Sequence, residues 1–349
     1  MERLRLGLIG CGGMGTQHST RFAKMADRTI VTAAAEIQPQ RQNLAAQQLP
    51  GAKIVSDYHD LLNDVDAVLI ALPHHLHHRA TLDCLEAGKH VLLEKPMANS
   101  EQQCLDLIAA QQCSGLTLMI AYCMRFHPLV SRMKQLLDKN RYGECFQVSI
   151  WTEQFTDAPE GHWFRSAQQL GGGQFFSHGC HYIDILLWLL GRPVRGVHIG
   201  TNLCTPWMEK EGTSNATLEF EGGRLGYHFG TWGARGSRLR YSIHAHCETG
   251  LLEAAISDER LYFHQGTTTQ TLMECENIKH TELELAHFLD CIETEQPPLT
   301  DANSALQGLR IIWRLYEAEN QNTMADLRGL ELGAISQSQV KTKYNLSDR

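Results

Sequence analysis

Through the first 122 residues, short apolar runs alternate with longer stretches of helical periodicity. Leu4–Ile9 is an apolar run ending in glycines; a helix is expected over 14–26 and a buried strand over Thr29–Ala35. A second helix fits 39–49. The run 65–72, apolar but for Asp66, reads as a central strand, because a strand covered on both faces shows no alternation. Helical periodicity returns over 76–88 and stops at Gly88, a residue type that readily takes the left-handed turn closing a helix. His90–Leu93 and 116–121 read as strands, with a helix over 100–113 between them. Regular succession of strand and helix with short links defines an α/β fold with a doubly wound parallel sheet.

Beyond residue 122 the period changes. A helix near 127–139 precedes a long strand over 145–154, and another helix covers about 178–190. Polar and apolar residues then alternate over 194–203, 213–221, 224–232, 239–247 and 250–255, with turn signals such as Glu221-Gly222-Gly223 between runs. A period of two means one buried face, so this part reads as an α+β domain with one open, mostly antiparallel sheet. Two helices follow at about 281–294 and 300–320. The expected division is a first domain over 1–122, a second over 123–335, and a polar tail over 336–349.

Composition narrows the classes. With 43% hydrophobic and 20% charged residues, the 349-residue chain can bury a sizeable core and is not disordered. A net charge of −8 supplies no positive field for nucleic acid or an anionic membrane surface. No apolar stretch reaches the ~18 residues of a membrane span, and the N-terminus carries no signal-peptide pattern. The 11 cysteines are irregularly spaced and form no C-x-x-C pair, as expected of buried free thiols in a reducing cytoplasm.

Gly10-Cys11-Gly12-Gly13-Met14-Gly15 fits G-x-G-x-x-G. The string alone is weak, since glycine-rich turns are common. Here it follows the first strand and opens the first helix of a βαβ unit, the context of a Rossmann dinucleotide site. The first glycine permits a tight turn, the second lets the backbone approach a pyrophosphate, and the third lets the helix pack on the strand. Glu36 ends the second strand about 20 residues beyond the last glycine. A carboxylate there binds ribose hydroxyls and repels a 2′-phosphate, so NAD is favoured over NADP, with Arg41 nearby as the opposing signal. A solvated strand-end acid is the plainer reading of Glu36.

His90-Val91-Leu92-Leu93-Glu94-Lys95-Pro96 places a lysine at the carboxyl end of a parallel strand, where ligands bind in open α/β sheets. The following proline stiffens the chain there. A lysine held beside a cationic nicotinamide can take part in proton transfer; without that context it would be a surface charge.

From these residues the chain resembles the glucose–fructose oxidoreductase, inositol dehydrogenase and rhizopine-catabolism family (Gfo/Idh/MocA) over about residues 3–320. Ala87-Gly88-Lys89-His90-Val91-Leu92-Leu93-Glu94-Lys95-Pro96 is similar to the family's A-G-K-H-V-x-x-E-K-P. Pro73-His74-His75-Leu76-His77 resembles its P-N-x-x-H loop, with His74 in place of Asn. Arg125-Phe126 with Pro128 resembles R-F-x-P, and Gly171-Gly172-Gly173 followed by Gly179-Cys180-His181-Tyr182-Ile183-Asp184 resembles G-G-G…G-x-H-x-x-D. The resemblance implies a substrate site between the two domains and homodimers or homotetramers. It implies Lys95 at the reacting hydroxyl and nicotinamide, with His181 as the acid/base. Leu72, Pro73, His74, His77, Glu94 and Lys95 would join the glycine loop (Gly10, Gly12, Gly13, Met14, Gly15) and Glu36 around the cofactor. The family often carries Asp four residues before the histidine; this chain has Ser177, which cannot hold charge.

Of 18 histidines, His74, His75, His77 and His78 cluster after the 65–72 run. His178, His181 and Asp184 sit at i, i+3 and i+6 of one expected helix. The set lacks the i, i+4 histidine pair or cysteine company of most metal sites, so no metal is expected. Expected substrate contacts are Lys95, Arg125, Trp163, Arg165, His178, His181 and Asp184, since aromatic rings stack on sugars and arginine binds hydroxyls or carboxylates. Packing alone would equally explain Trp163. Trp151, Glu153, Trp232 and Arg235 are secondary candidates for a substrate wall.

The expected activity is hydride transfer to NAD from a secondary hydroxyl of a sugar, cyclitol or glycoside. One rival, also implied by the resemblance, is a glycosidase that keeps NAD bound and cleaves by transient oxidation and elimination. Another is a catalytically silent ligand sensor.

Overall fold

The computed structural model describes residues 3–276 and 280–330. The polar tail expected over 336–349 lies outside the described residues. Six parallel strands, β1 (Leu4–Ile9), β2 (Thr29–Ala35), β3 (Lys53–Val55), β4 (Ala67–Ile70), β5 (His90–Leu93) and β6 (Leu118–Ile120), lie in the order β3-β2-β1-β4-β5-β6. The strand order reverses between β1 and β4, which opens a crevice at their carboxyl ends. Every residue of β4 is fully buried, which is why 65–72 shows no alternation.

Helices α1 (Gly13–Phe22), α2 (Pro39–Gln48), α3 (His77–Glu86) and α4 (Glu101–Ser114) connect these strands. The helix expected over 14–26 ends at Phe22 and continues as one tighter turn. The Ser100 side chain caps α4, and Gly115 closes it at φ +69°.

The second half opens with α5 (Pro128–Asp138) and β7 (Cys145–Glu153), then α6 (Ala167–Leu170), α7 (Gln174–Ser177) and α8 (Cys180–Leu190). Strands β8 (Pro193–Thr201), β9 (Thr213–Phe220), β10 (Leu225–Thr231), β11 (Tyr241–Cys247), β12 (Gly250–Ala255), β13 (Arg260–Gln265) and β14 (Thr268–Glu274) follow. Helices α9 (Thr281–Thr294) and α10 (Ala302–Asn320) and the short β15 (Ala325–Asp326) complete the described chain. The nine strands of this sheet run β14-β13-β12-β11-β7-β10-β9-β8-β15, antiparallel except for the β7–β10 pair.

Two expectations are corrected. The helix expected over 178–190 begins two residues later, as α8, and the short α7 ahead of it was not anticipated. Strands β3, β13, β14 and β15 were not anticipated; β14 is an edge strand with little burial, so its residues lack the apolar alternation that marks a strand.

The two halves share their interior. Leu285, Phe288 and Leu289 of α9 pack with Leu6, Leu8, Leu69 and Leu92 of the parallel sheet. Leu306, Leu309 and Ile312 of α10 belong to a core that joins residues of both sheets. Among the described residues, no helix is long and apolar enough to cross a membrane.

Candidate active site

The glycine loop leaves β1 at Gly10, whose φ of +92° suits glycine, and a Cβ there would lie 2.5 Å from the Ala71 carbonyl oxygen. At Gly15 a Cβ would lie 2.0 Å from the Gly10 oxygen, so only glycine lets α1 sit this close to the loop. Beside Gly13 the space is open. The first amides of α1 thus face a cradle at a helix N-terminus, which suits a pyrophosphate. Glu36, at the end of β2, is buried. Its Oε2 accepts from the Cys11 N–H at 3.0 Å and its Oε1 from the Gln38 N–H at 3.0 Å. The residues present therefore fit a dinucleotide whose adenosine end meets a carboxylate. Arg41 stands over the loop, with Nη1 3.1 Å from where a Gly12 side chain would begin.

Across the switch point, the turn after β5 presents Lys95. Its backbone N–H donates to Glu94 Oε2 at 3.2 Å, and Glu94 Oε1 lies 2.9 Å from Nε2 of His18 on α1. This buried His18–Glu94 pair ties the phosphate-loop helix to the lysine turn. His77 packs between the same turn and the loop after β4, with Nδ1 2.8 Å from the Pro96 carbonyl and Nε2 2.8 Å from the Leu72 carbonyl. Burial pushes its pKa down. His74 Nδ1–H donates to the Leu170 carbonyl at 2.8 Å, and burial, with His77 and Lys95 nearby, holds its pKa well below the ordinary value. His74 is therefore a neutral ring with its acceptor nitrogen at Nε2.

The second half supplies the opposite wall. Lys95 Nζ donates to the Ser177 carbonyl at 3.1 Å, which brings the lysine against the segment leading into α8. His181, in the first turn of α8, is buried and sits edge-on to Tyr122 at 5.7 Å between ring centroids. His178, at the break before α8, lies 6.0 Å from the His181 ring and 5.9 Å from Tyr241. Trp163 stands edge-on to His74 at 4.6 Å. Lys95 thus meets the segment leading to His178 and His181 through the Ser177 carbonyl, and His74 meets Trp163.

Several candidates are placed elsewhere. Arg125 and Asp184, expected to touch substrate, form a buried pair: Nε and Nη2 donate to the two carboxylate oxygens at 2.7 and 2.6 Å, and Nη1 donates to the Leu299 carbonyl. With both oxygens taken, Asp184 is no metal ligand beside His178 and His181. Arg165 and Trp232 stay near Trp163: Arg165, in the same turn, donates to the Ala158 carbonyl at 3.0 Å, and buried Trp232 packs with Leu170, Met208 and Trp163. Trp151 lies beside Tyr227 and His244 on the nine-stranded sheet, Glu153 accepts from the Arg240 N–H, and Arg235 stacks on Phe155. Sequence reasoning missed His18 and Tyr122. His18 falls one turn past Gly15, where a histidine in a buried helix face asks for a partner. Tyr122 ends the first half, and nothing in its local pattern marks it.

Comparison with known proteins agrees with this geometry. Residues 4–122 match the model described as oxidoreductase family, NAD-binding Rossmann fold, and 130–253 match the GFO/IDH/MocA C-terminal domain. The chain belongs to this family. It is 31% identical to inositol 2-dehydrogenase 2 of Saccharopolyspora erythraea over 194 residues, 55% of each chain. It is 30% identical to the rhizopine catabolism protein MocA of Rhizobium meliloti over 207 residues, 59% of this chain and 63% of that one. The chain thus spans between half and two thirds of the length of these curated relatives. Among solved structures, levoglucosan dehydrogenase in complex with NADH superposes with a TM-score of 0.86 at 20% identity, covering 93% of this chain and 99% of that one.

Proposed function

We propose that this protein is an NAD-dependent dehydrogenase that oxidises a secondary hydroxyl of a sugar, cyclitol or glycoside. The observation that carries the reading is the Lys95 Nζ bond to the Ser177 carbonyl, which draws the lysine of the nucleotide-binding half against the segment that bears His181. Bound nicotinamide supplies the hydride acceptor. Lys95 positions and polarises the substrate hydroxyl, and His181 takes its proton as general base. His74 Nε2, His178 and the Trp163 ring orient the sugar. Glu36 selects NAD over NADP by placing a carboxylate where a 2′-phosphate would sit. Replacing Lys95 by Met should lower turnover about 10²–10⁴-fold while nicotinamide fluorescence still reports NADH binding; normal turnover in that variant would refute the role.

Ser177 favours keeping a second reading, since no carboxylate stands four residues before His181. In a glycosidase that oxidises and re-reduces its substrate on retained NAD, an aryl glycoside releases its chromophore with no net NADH. Eleven free thiols support a reducing cytoplasmic setting. A second copy of the chain would cover the sheet face that carries the half-buried Trp151, Tyr227 and Phe229, making a homodimer or a tetramer built from it.

A further inference from the structure

Away from the crevice, three side chains with metal-ligand chemistry converge from segments far apart in sequence. His127 is the N-cap of α5, Cys275 follows β14, and His280 precedes α9; each offers one ligand atom, and these lie within 4.8 Å of one another. The two imidazole rings stand perpendicular with centroids 5.1 Å apart. His127 is 1% and His280 9% exposed, and the Nε2 atom of each is buried with no hydrogen-bond partner among the described residues. Orphaned buried nitrogens are uncommon and call for an explanation. Cys275 is half-buried, so solvent reaches the cluster from its side.

We propose that His127, Cys275 and His280 form a binding site for one divalent ion of the zinc class. Two imidazoles and a thiolate suit a borderline-soft ion, and three protein ligands leave a fourth tetrahedral position for water. The ligand atoms must draw together by about 1 Å, because zinc–ligand bonds are about 2.0–2.3 Å long. On binding, the Cys275 thiol releases its proton to solvent. Coordination through His127 Nε2 places that ring's proton on Nδ1 and exchanges the 3.3 Å cap bond from the Leu129 N–H for the coordinate bond. The ion would staple the edge of the nine-stranded sheet and the start of α5 to α9, the helix that returns to the parallel sheet. It would hold the two halves together without touching Lys95 or His181.

The test is a Co²⁺ titration of the full-length, chelator-stripped protein, read by absorbance. The expected result is saturation at one ion per chain, with a thiolate-to-cobalt charge-transfer band, tetrahedral visible bands and displacement by Zn²⁺. The chain holds 11 cysteines, so variants assign the band. Cys275→Ser, a mild change at a half-buried thiol, should abolish it, and His280→Gln should weaken binding at least about tenfold. Circular dichroism and NADH binding check that both variants fold. No saturable binding, a spectrum without the thiolate band, or a band that survives Cys275→Ser would overturn the site.

Discussion

Lys95 is anchored by a main-chain carbonyl, so the side chain at 177 is not what holds it. Ser177→Ala should therefore retain turnover within about tenfold, whereas Lys95→Met loses about 10²–10⁴-fold; steady-state rates of the two variants at saturating NAD decide this. Glu36 has a double task, since its oxygens hold both the Cys11 and Gln38 amides. Glu36→Ala should raise the KM for NAD and narrow the NAD/NADP preference, with Arg41 then free to meet a 2′-phosphate. An unchanged cofactor ratio would remove Glu36 as the selector. Arg125 and Asp184 illustrate the opposite outcome for two conspicuous charges. They satisfy one another in the interior, and removing one leaves a buried charge unpaired, which costs about 3–5 kcal/mol. Asp184→Ala should lower the urea midpoint accordingly.

The elements show what the chain's pattern can and cannot reveal. Strand β4 was legible because burial on both faces writes a continuous apolar run. Strand β14 was not, since an edge strand is defined by pairing with β13 rather than by its own burial. Helix α7 was missed because its four residues are too few for helical periodicity to show. Within the site, the glycine loop, Lys95 and His181 carry sequence signatures. The His18–Glu94 link, the Tyr122 contact and the burial of the Arg125–Asp184 pair depend on residues brought together from 59 to 76 positions apart. The same loop gives a sharp expectation: Gly15→Ala forces a methyl to within 2.0 Å of the Gly10 oxygen, and NADH binding by fluorescence titration should be lost.

At the scale of the whole molecule, buried neutral histidines set the acid limit. Burial depresses His74, and pushes His228 down to about 3. His74 faces His75, His77 and Lys95; His228 faces His198. In the unfolded chain these rings titrate near 6.5. As pH falls below that value the unfolded state binds protons that the folded state refuses. Stability then drops by up to about 1.4 kcal/mol per pH unit for each ring until its folded pKa is reached. Tm should fall as pH drops below about 6.5, and a flat profile there would contradict the neutral assignment. The uncovered sheet face belongs to this scale too: light scattering should give at least a dimer, and Trp151→Glu with Tyr227→Glu should shift it toward monomer.

The central claim is that one crevice, walled by both halves, moves a hydride from a carbohydrate hydroxyl under the control of Lys95. The most direct measurement follows the near-UV absorbance of reduced nicotinamide over a panel of sugars, inositols and aryl glycosides with NAD, for the native protein and Lys95→Met in parallel. The account predicts a substrate-dependent rise in the native protein whose rate Lys95→Met lowers about 10²–10⁴-fold while still binding NADH. A rise that stays as fast in Lys95→Met, or aryl glycosides releasing their chromophore with no rise anywhere in the panel, would contradict it.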